Sequence, residues 1–331
     1  MANSAQDDLF GYTEAYYATR SLLAAWRIGL LDAAQHDQVD IGDWAAAQDF
    51  DPDLLRALAD YLVLRDLLER DGDAYRLSER ARAMYPYFGY LPSHVGAYEP
   101  IFNALEDVLA RRRTYGGDLD RSHQEVASGM SAMEEHLLGQ LTRITDDIRF
   151  HGVVDLGCGS ARLLSKLLAR EPGLRGVGID HEEVACAEAR RTLEREGLSD
   201  RATILRGDAT RLHELPAGTF DGIDLAIAMF VMHEVNYGRT RDEVVRCLRD
   251  IAEMLGPDGR LLMVEVSRVP ADGPRRGLRF IPEYQLTHEF SHQRLIGRDD
   301  WESMLAEAGM KVLRTEPAGI CEAFCFVASV A

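Results

Sequence analysis

An apolar strand that runs into an acid and then a glycine-rich turn constrains this chain more than any other stretch. It reads Val153-Val154-Asp155-Leu156-Gly157-Cys158-Gly159-Ser160-Ala161, and Arg162-Leu163-Leu164-Ser165-Lys166-Leu167-Leu168 follows with a helical pattern. A buried strand turning sharply into a helix sets backbone N–H groups and a helix N-terminus against a ligand. Glycine stands where the backbone bends tightly or touches that ligand. Many nucleotide-binding α/β proteins share such a turn, so the strands that follow carry the discrimination.

A second apolar run, Gly176-Val177-Gly178-Ile179-Asp180, ends in an acid 25 residues beyond Asp155. That is near the spacing at which a carboxylate reaches ribose hydroxyls in dinucleotide-binding folds. Residues 202–209 read as a third strand ending in Gly207-Asp208-Ala209, residues 220–230 as a fourth opened by Phe220-Asp221, and residues 259–266 as a fifth. Helical patterns over 182–197 and 241–255 alternate with them. This alternation predicts an α/β fold with a doubly wound parallel sheet.

At 331 residues the chain has room for two domains. A net charge of −18 argues against nucleic acid or an anionic membrane as partner. The start, Met-Ala-Asn-Ser-Ala-Gln-Asp-Asp, lacks a basic segment followed by an apolar one, so no secretory signal is expected. No apolar run approaches the ~20 residues of a membrane span. Five scattered cysteines (158, 186, 247, 321 and 325) fit a reducing cytoplasm and core thiols. Cys321 and Cys325 lie in an apolar tail whose residues 323–328 read as a late strand.

Before about residue 150 the pattern is mainly helical. Residues 15–31 are apolar on most sides; residues 41–47 and 53–62 read as a helix pair, with Pro52 suited to a first turn. Residues 67–77 read as a hairpin about Asp71-Gly72. Helix, helix, hairpin is a winged-helix-like arrangement. Asp51, Asp53 and Asp60 against Arg56 on the second helix leave no electrostatic footprint for DNA. Further helical patterns cover 100–112 and 124–150.

From residue 153 to the end, the chain resembles the class I S-adenosylmethionine-dependent methyltransferases. The resemblance implies that Asp155, Gly157 and Gly159 hold the methionine part of the cofactor, Asp180 the ribose, and Asp208 with Ala209 the adenine. The family's third glycine is Ala161 here. A nicotinamide enzyme is disfavoured by Gly-Asp-Ala after the third strand and Phe-Asp before the fourth. The N-terminal part resembles the dimerisation domain preceding many small-molecule methyltransferases. It implies a homodimer, with residues 1–120 as the winged-helix-like domain and 121–331 as the Rossmann-like catalytic domain, its core starting at 151. In such a pair the helices over 100–112 and 124–150 would link the domains and roof the acceptor pocket.

Methyl transfer from a sulfonium is an in-line displacement: the acceptor must be aligned and, where needed, deprotonated. His233, in Met229-Phe230-Val231-Met232-His233-Glu234, follows the fourth strand at the edge where doubly wound folds hold substrates. An imidazole titrating near ~6.5 suits a general base. In related O-methyltransferases a His-Asp or His-Glu pair at this place supplies the base, here His233 with Glu234. A histidine that merely caps the next helix is the plainer alternative.

His288-Glu289-Phe290-Ser291-His292 matches H-E-x-x-H, and two histidines four apart share a helix face, so the spacing permits a metal. Its place after the fifth strand argues against a zinc protease. The stretch resembles instead the phenylpyruvate-type 2-oxo-acid C-methyltransferases, which carry Glu-Phe-small-His here. That resemblance implies a non-haem iron or other divalent metal on His233 and His292. Phe230 stands where the family has a methionine, and His288 is a further candidate ligand. The expected function is methylation of a small-molecule acceptor, at C3 of a 2-oxo acid with metal assistance. The alternative is O-methylation of a phenol or polyketide hydroxyl with His233 as base. A winged-helix regulator that only senses S-adenosylmethionine is disfavoured by the acidic second helix.

Overall fold

The protein is described by a computed structural model over residues 3–273, 280–318 and 323–331. Two compact units divide it, residues 1–136 and 137–331, and the division falls inside the long helix His123–Thr145.

In the first unit, helix Asn3–Arg27 is followed by helix Leu30–His36. The apolar stretch over 15–31, expected as a helix buried against a partner chain, is broken by Gly29, left-handed at φ 80°. Leu22, Ala25, Leu30 and Leu31 then turn into the unit's own core with Ile41, Leu55, Leu62, Tyr75 and Leu77. Leu9, Phe10, Tyr12, Tyr16 and Tyr17, further toward the N-terminus, stay exposed. The helix pair is Ile41–Gln48 and Pro52–Leu64. Each starts on an aspartate: Asp40 accepts from the Asp43 N–H at 3.0 Å, and Asp51 from the N–H groups of Asp53 and Leu54, both at 3.0 Å. Strands β1 (Val39–Asp40), β2 (Leu68–Asp71) and β3 (Ala74–Leu77) form a sheet in the order β1-β3-β2. Asp71 pairs with Ala74, so the hairpin turns on Gly72-Asp73, one residue later than expected, with Gly72 at φ 61°. The pattern over 100–112 resolves into two short helices, Glu99–Phe102 and Leu105–Leu109.

In the second unit the five apolar runs become β4 (Gly152–Leu156), β5 (Arg175–Asp180), β6 (Ala202–Arg206), β7 (Leu225–Met229) and β8 (Arg260–Val266). They are joined by β9 (Met310–Pro317) and β10 (Ala323–Val330). The sheet has seven strands in the order β6-β5-β4-β7-β8-β10-β9. The first five are mutually parallel, and β10 pairs antiparallel with both β8 and β9. This is a Rossmann-like doubly wound fold preceded by a helical region. Helices Arg162–Arg170, Glu183–Arg195 and Arg241–Leu255 lie between the strands in sequence. The last bears a capping box, in which Thr240 and Glu243 satisfy each other's backbone N–H groups. Val154, Leu156, Ala226, Ala228, Leu261, Met263 and Phe326 join Leu248, Ile251 and Trp301 in one core.

Cys158, Cys186, Cys247 and Cys325 are free and buried. Burial pushes the last two thiols up to about 12. Cys321 lies outside the described residues. Among those residues no helix is long and apolar enough to cross a membrane.

Candidate active site

The glycine-rich turn leaves the buried end of β4 and folds onto β5. The N–H groups of Gly157 and Cys158 both donate to the Ile179 carbonyl, at 2.8 and 3.0 Å. Gly157 has φ 73°, and a Cβ there would stand 2.4 Å from Val231 Cγ2. No other residue fits both the backbone and the space. Gly159, at φ 52°, has no atom within 4 Å of where a Cβ would be, which leaves open room beside the turn. Ala161, in the third-glycine place, takes a left-handed φ of 59° at the start of helix Arg162–Arg170.

Asp180 ties the turn down. One carboxylate oxygen accepts from the Gly159 N–H and the other from the Glu182 N–H, each at 2.9 Å. Each oxygen keeps a second lone pair, so the acid can still accept from ribose hydroxyls. Asp208 is exposed and organises its own loop by accepting from the N–H and hydroxyl of Thr210, both at 2.8 Å. Ala209 packs on the core, and the Gly207 N–H donates to the Asp180 carbonyl at 2.9 Å. The turn and both acids therefore form one continuous edge of β4, β5 and β6. Asp155 is buried beneath that edge; desolvation, and then the neighbouring Asp180 charge, push its carboxyl up to about 7.

His233 opens the short helix Met232–Asn236 just after β7. Its Nδ1 lies 2.7 Å from Glu265 Oε2, and both side chains are buried. Glu265 Oε1 accepts from the N–H groups of Met232, at 2.7 Å, and His233, at 3.3 Å. The expected pairing with Glu234 is not what the structure brings together: the Glu234 carboxylate accepts instead from the Gln293 amide. Neighbours along a helix point apart, whereas β8 runs parallel beside β7 and delivers Glu265 from across the strand pair. The readable signal for Glu265 was an acid inside an apolar strand, Val264-Glu265-Val266. A carboxylate at Nδ1 takes the proton of that nitrogen, which leaves the lone pair on Nε2.

His288 is buried with its ring centroid 4.9 Å from that of His233, edge to face. Its Nδ1 lies 2.6 Å from the Tyr284 carbonyl, and its ring stacks on Tyr284 at 3.8 Å. The expected shared helix face of His288 and His292 does not form. Helix Ile281–Phe290 ends before His292, which takes a left-handed φ of 56° and stacks on Tyr237 at 4.5 Å. Phe230, also left-handed at φ 53°, begins the loop that carries His233. Two strained non-glycine residues thus flank the histidines, as happens where function over-determines the backbone.

Residues 153–259 match the family described as methyltransferase domain. Over 294 residues the chain is 28% identical to the 2-ketoarginine methyltransferase of Streptomyces arginensis, covering 86% of this chain and 82% of that one. It is 32% identical to the mitomycin biosynthesis 6-O-methyltransferase of Streptomyces lavendulae, over 55% of this chain and 48% of that one. The solved structure of the mitomycin 7-O-methyltransferase superposes with a TM-score of 0.74 at 20% identity, covering 100% of this chain and 99% of that one. A glycine turn with acids ending successive parallel strands, in a fold of this order, suits a ligand that carries a nucleoside. Residues 153–259 are thus a methyltransferase domain, and the similarity supports S-adenosylmethionine as the methyl donor.

Proposed function

We propose that this enzyme methylates C3 of a small 2-oxo acid, with a divalent metal held at His233. The observation that carries the reading is the His233–His288 pair at the edge of the sheet. In each imidazole Nδ1 is engaged, by the Glu265 carboxylate in one and the Tyr284 carbonyl in the other. Histidines that bind metals are held this way, the remote nitrogen donating to a carboxylate or carbonyl so that the other keeps its lone pair. The donor chemistry of His233 and His288 therefore fits a metal, with His292 as the third candidate. A bound ion would polarise the keto oxygen of a chelating 2-oxo acid and acidify its C3. Glu265 fixes the tautomer of His233, and Asp180 and the glycine turn hold the donor so that its methyl faces the acceptor. The full-length similarity to a 2-ketoarginine methyltransferase supports the acceptor class.

One observation favours a second reading. Among the described residues no group of three or more His, Cys, Asp or Glu side chains gathers to hold a metal. His233 Nε2 would then act as the base on a phenolic or polyketide hydroxyl, with Glu265 supporting the imidazolium. The similarity to the mitomycin 6-O-methyltransferase supports that acceptor class.

In both readings the five exposed apolar side chains of the first helix, Leu9 to Tyr17, meet a second copy and make a homodimer. The helix pair with its three-stranded sheet supports a winged-helix-like first domain that serves this pairing.

The deciding experiment is turnover of 2-oxo acids and phenols before and after chelation, with metal content measured. The first reading expects C3-methylated product, loss on chelation, and loss of bound metal in His233→Ala and His288→Ala with S-adenosylmethionine binding kept. Full turnover by metal-free protein on phenols would overturn it in favour of the second.

A further inference from the structure

A cavity of about 220 Å³ opens in the second unit, lined by none of the groups of the cofactor turn or the His233–Glu265 pair. Four arginines converge on it, Arg239, Arg241, Arg268 and Arg294, with Asp300 as the one acid among its lining residues. The chain as a whole carries 55 acids against 37 bases, so this concentration of guanidinium runs against its composition.

Arg241 is already neutralised, 2.6 Å from Glu307 and 3.9 Å from Asp300. The other three are not. Arg239 donates to the Val235 carbonyl at 2.6 Å and the Thr210 hydroxyl at 3.5 Å, both uncharged. Arg268 and Arg294 are exposed and make no ion pair among the described residues. Three like charges around one small space repel each other until an anion enters. The cavity wall also includes Gly297, which starts helix Arg298–Glu307 with no side chain to accept the first N–H groups. The backbone dipole at that end adds positive potential to the same space, offset in part by Asp299 and Asp300 in the first turn.

We infer that this cavity is a binding site for a compact, multiply charged oxyanion, a phosphate group or a dicarboxylate, distinct from the methyl-transfer site. Guanidinium forks match the planar pairs of oxygens that both chemistries present. The cavity has ample room for one such group. Occupation would bear on the segment behind the candidate active site. The Arg294 N–H donates to the His233 carbonyl at 3.1 Å, and the Asn236 amide to the Arg294 carbonyl at 2.9 Å. The inference stands on these contacts alone and holds whichever acceptor the enzyme methylates.

Calorimetry and thermal melting of the full chain test it, with inorganic phosphate and succinate as probes and potassium chloride at matched ionic strength as control. One saturable site for phosphate or succinate is expected, with a raised Tm that chloride does not reproduce. Tighter phosphate binding assigns a phosphoryl ligand, and tighter succinate binding a carboxylate. The double variant Arg268→Gln with Arg294→Gln should weaken that binding tenfold or more while S-adenosylmethionine affinity is unchanged. Circular dichroism establishes that the variant is folded. The inference fails if neither probe binds saturably beyond the chloride control, or if the folded double variant binds as tightly as the parent.

Discussion

Glu265 Oε2 lies 2.7 Å from Nδ1 of His233, while its other oxygen holds the Met232 N–H at the same distance. One buried acid at the end of β8 therefore sets both the imidazole and the backbone turn that presents it. Glu265→Ala should leave three groups in the core without this acceptor, the His233 imidazole and the N–H groups of Met232 and His233, and lower stability by about 1–3 kcal/mol. Glu265→Gln keeps an acceptor for the backbone but loses the charge, so it should fold well and lose about 100-fold in turnover. Glu234→Gln, which alters the contact to Gln293, should be much milder. Urea unfolding and steady-state kinetics on the three variants check the ranking; equal losses for Glu234→Gln and Glu265→Gln would reverse the assignment.

Asp155 gives a pH dependence with a definite sign. Its carboxyl sits at about 7 in the fold, against 3.8 for an ordinary aspartate. The native state therefore holds a proton that the unfolded chain releases near pH 4. The associated stability is fully present below about pH 4 and is lost as pH rises through about 7. Asp155→Asn should remove that slope, and at pH 8 the ligand-free variant should melt higher than the parent by roughly 5 °C. Melting curves of both proteins from pH 5 to 9 measure it. Parallel curves would mean that Asp155 does not titrate in this range.

Two of the three left-handed positions of the turn, Gly157 and Ala161, predict opposite effects of adding or removing one methyl. Gly157→Ala meets both backbone strain and Val231 Cγ2, and should cost about 2 kcal/mol or more. Val231→Ala in the same chain relieves the clash but not the strain, so the double variant should recover only part. Ala161→Gly releases a strained φ of 59° and should be neutral or stabilising by up to about 1 kcal/mol. Equilibrium unfolding of the four proteins tests the set; a benign Gly157→Ala would be inconsistent with the geometry of the turn.

The parallel strands were legible because a central strand is buried on both faces and reads as a continuous apolar run. β9 was not. It lies at the sheet edge, alternates buried and open positions, and leaves Leu313 half exposed. At the site, the spacing of His288 and His292 implied one helix face, but that holds only while the helix continues. No glycine or proline marks its end after Phe290, and the left-handed His292 cannot be read from the residue type. Glu265 was visible as a lone acid in a strand, yet its partner depends on which strands are neighbours. Pairing across a sheet is a long-range fact that local pattern does not carry.

The proposed homodimer rests on the first helix. Leu22, Ala25, Leu30 and Leu31 are core residues of their own unit, so deleting residues 1–35 would unfold that unit rather than test the interface. Replacing Leu9, Phe10, Tyr12, Tyr16 and Tyr17 by serine alters only exposed positions. Sedimentation should then show a dimer becoming a folded monomer. A parent protein that is monomeric at all concentrations would remove the proposed role of these side chains.

The register of β7 against β8, Met229 beside Val264, has an evolutionary consequence. The imidazole and its acid are held at the ends of two adjacent central strands, whereas Tyr284, His288 and His292 belong to the segment between β8 and helix Arg298–Glu307. On the proposed function, substitutions in that segment would change the contacts to the acceptor while His233 stays oriented by Glu265. A directed-evolution library confined to residues 281–297 would then vary the acceptor while leaving the strand pair that orients His233 intact.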